Sequence, residues 1–154
     1  MARKTGSSWL LALALLATFS AAGFAVEAIQ EQYSTDGNLE ASLIGANVRD
    51  NVLTIKVMLK NVSGENADVM FLFKNVYYTD MKEKSKYYCL KDSENQYIAG
   101  PKYDNSNGGR FWYKIPPEKK KILWAKFPAP PANTESIDVF IPDLLPFESV
   151  KVGR

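Results

Sequence analysis

Hydrophobic and polar residues alternate most cleanly between Val52 and Lys60. Leu53, Ile55, Val57 and Leu59 fall on one side, and Thr54, Lys56 and Lys60 on the other. That period of two belongs to a half-buried antiparallel strand. Upstream, Leu39 to Ala46 carries a weaker strand pattern, and Asn47 to Asn51 reads as a turn. Downstream, Asn61 to Asn66 is a turn by composition. Asp68 to Tyr78 is almost unbroken in apolar character, which predicts a strand covered on both faces or one bulged near Asn75. Thr79 to Ser85 reads as a polar hairpin loop, Lys86 to Leu90 as the return strand, Lys91 to Gln96 as a turn and Tyr97 to Ala99 as a short strand. Gly100 to Arg110, with Pro101 and several Asn and Gly residues, reads as a long loop before a strand at Phe111 to Ile115 and a tight turn at Pro116 to Lys119.

The stretch from Lys121 to Phe147 fixes where two strands stop. Two β-rich runs, Lys121 to Phe127 and Ser136 to Ile141, flank Pro128, Pro130 and Pro131, and a second corner follows at Pro142 and Pro146. Proline has a fixed φ and no N–H for a ladder, so it belongs at strand ends and edges. Glu148 to Val152 reads as the last strand. About eight short strands with turn signals every 8–12 residues or so, and no helical period in between, predict an all-β antiparallel sandwich over residues 38–154. Val26 to Gly37 is polar and reads as a flexible lead-in, residues 26–37.

The N-terminus carries a different signal. Arg3 and Lys4 precede an apolar run from Trp9 to Phe19, followed by the small residues Ser20, Ala21, Ala22, Gly23 and Ala25. This is the layout of a secretory signal peptide over residues 1–25, a signal helix ahead of the sandwich. The apolar run is shorter than the roughly 20 residues that span a bilayer, so no stable membrane insertion is expected after cleavage. The expected location is periplasmic or extracellular.

Composition narrows the function further. Cleavage after Ala25 would remove two bases and no acid, taking Lys plus Arg from 19 to 17 against 17 Asp plus Glu, a net charge of zero. A neutral chain gives no electrostatic case for nucleic acid or an anionic membrane surface. Histidine is absent, which removes the commonest general base and the commonest metal ligand together. Cys89 is the single cysteine, so no internal disulfide forms.

Several segments together resemble a family of secreted bacterial immunoglobulin-like domains of unknown function. They are Lys60-Asn61 after the alternating strand, Tyr87 to Glu94 in the hairpin, Ala125-Lys126-Phe127-Pro128-Ala129-Pro130-Pro131, and Ile141-Pro142 with Pro146-Phe147. Cys89 departs from the pattern, standing where an aliphatic residue is expected. The resemblance implies export and a single immunoglobulin-like β-sandwich, its fold similar to that of a mycobacterial immunoprotective extracellular antigen. It implies no catalytic or ligand residues.

Candidate chemistry is sparse. Cys89, inside a strand and without a histidine partner, reads as a buried inert thiol, with an intermolecular disulfide as the alternative. Asp104 to Gly109 has oxygen ligands and glycines, but Ile115 stands where a helix–loop–helix calcium site needs its acid, so a plain loop is expected. Asn61-Val62-Ser63 matches a glycosylation acceptor by pattern alone. Lys82, Lys84, Lys86 and Lys119 to Lys121 read as solvated turns that discourage edge pairing. In Phe111-Trp112-Tyr113, alternation puts Trp112 outside if its neighbours are core, and Trp112 with Tyr113 are the candidate ligand-binding residues. No catalytic residue, metal or cofactor is expected. The function these features support is a non-enzymatic exported module presenting loops or a strand edge to another envelope or extracellular protein. The alternative is a carbohydrate or small-ligand binder using exposed aromatics.

Overall fold

The computed structural model describes residues 27–154; the signal-peptide reading of residues 1–25 lies outside them. The alternating stretch forms β3 (Val52–Asn61), with Leu53, Ile55, Val57 and Leu59 buried. On one side it pairs with β2 (Leu39–Arg49) and on the other with β9 (Lys120–Pro128). β1 (Gln30–Tyr33) and β7 (Ala99–Gly100) complete a five-stranded sheet in the order β1-β2-β3-β9-β7. A four-stranded sheet runs β11-β10-β5-β6, from Phe147–Lys151, Ser136–Phe140, Tyr77–Asp80 and Ser85–Tyr88. A separate two-stranded ribbon pairs β4 (Ala67–Leu72) with β8 (Arg110–Ile115). Every ladder between these strands is antiparallel, and the inner faces of all three sheets feed one apolar core. The all-β expectation holds, and the layout is consistent with a sandwich.

Contacts across the core bind the sheets to each other. Tyr78 on β5 is fully buried and meets Phe127 on β9 edge to face, with ring centroids 5.6 Å apart. Its hydroxyl donates to the Pro128 carbonyl at 2.8 Å. β9 ends at Pro128, where the proline corner was expected to stop it.

Three stretches differ most from the sequence pattern. Gln30–Tyr33, inside the stretch read as a flexible lead-in, forms β1 against β2. Ladder bonds come from the backbone, so a polar segment can pair at a sheet edge without burying a face. Asn47 to Arg49 continue β2, because Asp50 (φ 50°) and Asn51 (φ 60°) alone make the hairpin turn. Asn and Asp tolerate the left-handed region that such two-residue turns require. The apolar run from Asp68 to Tyr78 is two strands broken by a short 3-10 turn at Phe73–Asn75, and β4 is exposed along one face.

Two residues hold the corners. Asn61 sits where β3 and β9 end their pairing and hand over to β4 and β8. Its Nδ2 donates to the carbonyls of Glu65 and Ile115, both at 2.7 Å, and its Oδ1 accepts from the N–H and hydroxyl of Ser63. The Asn61 side chain is therefore a buried pin, with its amide nitrogen already engaged, and not a free acceptor for sugar. Asp80, also fully buried, accepts from the Thr134 hydroxyl and from the N–H groups of Lys82 (2.9 Å) and Glu83 (3.2 Å).

Burial opposes charge on Asp80, but the Thr134 hydroxyl and the Glu83 and Lys82 N–H groups outweigh it and hold the carboxyl below its ordinary value. Its folded pKa thus lies under its unfolded one. The stabilisation is complete above the ordinary carboxylate range of about 4 and is lost as pH falls through the folded value. The thermal unfolding midpoint should therefore drop below about pH 4, and Asp80→Asn should flatten part of that drop. An unchanged acid-side slope in Asp80→Asn would show that the group contributes nothing.

Candidate functional site

The β4–β8 ribbon places its side chains by strand parity. Val69, Phe71, Phe111 and Ile115 point into the core. Met70 and Trp112, paired across the ribbon, point out and are 51% and 39% exposed. Tyr103, from the loop before β8, lies over the same face at 57% exposure, its ring centroid 5.0 Å from that of Trp112. Arg110 opens β8 beneath these rings. Its guanidinium carbon is 4.9 Å from the Trp112 centroid and 5.4 Å from that of Tyr103, within the range of cation–π attraction. Asp104 pairs with the same guanidinium. The Asp104 carboxyl is held low against burial by the Ser106 N–H and by Arg110. The indole N–H of Trp112 donates to Asp68 at 2.8 Å.

The result is a contiguous patch of Met, Trp, Tyr and Arg, fixed by its own contacts. An open recess of about 290 Å³ lies among Asp68, Met70, Arg110 and Trp112. The loop from Asp104 to Gly109 is closed by the Asp104–Arg110 pair, so its one carboxylate already faces a cation.

Compared with models of protein families, with curated proteins and with solved structures, the chain matches none.

The two candidate residues from the sequence fall on opposite faces. Trp112 is outside. Tyr113 is partly buried against the core, edge-on to Phe111 at 4.8 Å, with its hydroxyl donating to the Lys102 carbonyl and Lys121 over its ring. Met70, Tyr103 and Arg110 belong to the face and were not singled out by sequence. Alternation from Val69 and Phe71 would have flagged Met70; nothing in the loop composition marks Tyr103 or Arg110.

Cys89 is buried, and burial pushes its thiol up to about 12. A thiol so raised and so buried is a poor nucleophile. A second row of aromatics, Phe140, Tyr77 and Tyr88, crosses the outside of the four-stranded sheet. Tyr77 and Phe140 stack on each other at 4.8 Å, and the Lys86 ammonium sits 3.9 Å from the Tyr77 centroid. The Tyr77 ring is thus covered by Phe140 and Lys86, and Tyr88 lies half exposed at the end of the row.

Proposed function

We propose that this chain is an exported, non-enzymatic, immunoglobulin-like β-sandwich that recognises another envelope or extracellular protein through the outer face of the β4–β8 ribbon. The observation that carries the reading is the Arg110 guanidinium set against Trp112 and Tyr103, with Met70 alongside. Trp, Tyr and Arg are the residues in which binding energy concentrates at protein interfaces, and Met and Arg are enriched there while Lys and Glu are depleted. Pre-fixed side chains lose little conformational entropy on docking. The antiparallel sheets around one core support the immunoglobulin-like assignment. The absence of histidine and the raised thiol of Cys89 support a non-enzymatic role.

Sugar stacking is the less favoured chemistry. It needs a free aromatic face and free polar groups at its rim. Arg110 lies against the Trp112 ring, and the indole N–H is already bonded to Asp68.

The test is affinity capture from envelope and extracellular fractions, with Trp112→Ala run beside the wild type. Trp112 is exposed, so the variant is expected to fold normally by circular dichroism. Retention of the captured polypeptide should fall by about thirtyfold, the loss of one interface hot spot of roughly 2 kcal/mol. Equal retention by both proteins would reject the ribbon face as the binding site.

A further inference from the structure

We propose that the free edge of β4 pairs antiparallel with the β4 of a second copy of this chain, about a twofold axis at Met70. This rests on the ribbon being the protein-recognition element, and adds which chain fills its edge.

The backbone parity of β4 is fixed by one bond. Phe73 N–H donates to the Gly109 carbonyl at 3.1 Å, in continuation of a regular β4–β8 register. In an antiparallel ladder, bonded and non-bonded pairs alternate. Val69 and Phe71 therefore direct their groups to β8. Asp68, Met70 and Leu72 direct theirs away from it, and among the described residues none of these groups meets a partner.

The other sheet edges are blunted in the ways that natural proteins use against pairing. β1 ends under Leu145, whose N–H donates to the Tyr33 carbonyl. β7 has two residues. β6 is short and carries Lys86. β11 is irregular in register, with Ser149 at a φ of 54°. The far edge of β8 is bonded by the loop at Arg110 and carries Lys114. β4 is regular and has no lysine, proline or bulge, and its one charged side chain, Asp68, is taken up by the Trp112 indole N–H. Regular edges with unpaired backbone groups are templates for another strand.

The occupant follows from self-complementarity. The outward groups are centred on Met70, so a twofold axis there sets Met70 against its own copy and Asp68 against Leu72 of the other. Each such pair exchanges two N–H···O bonds. On the outer face, Met70 and the second copy's Met70 would lie between the two Trp112 indoles, an apolar row across four strands. No like charges come opposite one another, because Asp68 meets an apolar residue and its own cross-strand neighbour is Lys114.

The test uses protein purified after expression of the full chain. Sedimentation equilibrium should show a reversible monomer–dimer equilibrium. Met70→Lys places like charges on the axis and should weaken the dimer by about 100-fold. Met70→Pro removes an N–H that is not bonded within the ribbon and should act in the same direction. Thermal unfolding checks that each variant folds. Met70→Cys should be joined to its copy by a short bifunctional thiol reagent, since directly bonded antiparallel residues lie about 5.5 Å apart at Cα. Met81→Cys, in the exposed turn between β5 and β6, should not. A monomer at every concentration, or a dimer indifferent to Met70→Lys and uncrosslinked by Met70→Cys, would overturn the proposal. Should that monomer still capture a partner that Trp112→Ala loses, the recognition reading would stand without the dimer.

Discussion

Replacing Asn61 with alanine is expected to lower the free energy of unfolding by about 3 kcal/mol. The side chain is fully buried at the junction of β3 with the turn to β4, and it bonds the carbonyls of Glu65 and Ile115 and both donors of Ser63. Alanine would leave the buried Ile115 carbonyl without this donor, at a desolvation cost of roughly 1–3 kcal/mol per orphaned group. It would also free the corner that aligns the ribbon with the five-stranded sheet, so the Trp112 face should lose order as well. Asn61→Asp keeps the shape and the acceptor but loses the two donated bonds, and should be comparably destabilising. Urea denaturation of the two variants would check this. A loss below about 0.5 kcal/mol, the level of an ordinary surface substitution, would mean that the corner is held by other groups.

Phe127→Ala should cost still more, about 4 kcal/mol. The ring is fully buried on β9, pairs across β3 with Leu53, and meets Tyr78 of the facing sheet edge to face. Truncation leaves a cavity between layers that cannot close without moving both. Tyr78→Phe removes only the hydroxyl that reaches the Pro128 carbonyl, and should cost about 1 kcal/mol. The contrast between the two variants, read from denaturant midpoints at equal slope, separates interlayer packing from the single hydrogen bond. Similar losses in both would contradict a core packed between the sheets.

What the sequence made legible was whatever rests on side-chain alternation or proline. β3 stands where the period of two placed it, β9 stops at Pro128, and Trp112 faces outward as its neighbours required. Pairing that draws only on the backbone leaves no such mark: polar β1 has no alternation to show, and the residues around the β2–β3 hairpin read as a wider turn than the two that make it. The run from Asp68 to Tyr78 reads as irregular near Asn75 but does not show a full break, because Phe73 and Val76 are buried through a 3-10 turn as fully as a strand would bury them. The candidate face was only half visible. Trp112 was named, but Tyr113 points into the protein, and Arg110 joins the face through a loop closure that no local pattern encodes. Asn61 read as a turn residue; its role depends on Ile115, distant in sequence and adjacent only in the fold.

The ribbon face is tested most directly by photo-crosslinking in the producing cell. A photoreactive amino acid would be placed in turn at Tyr103 and Lys114, on or beside the face, and at Tyr88 and Ile122, exposed on the other sheets. Recognition through the ribbon gives protein adducts from the first two positions and none from the last two. Adducts only from Tyr88 or Ile122, or none from any position, would contradict it.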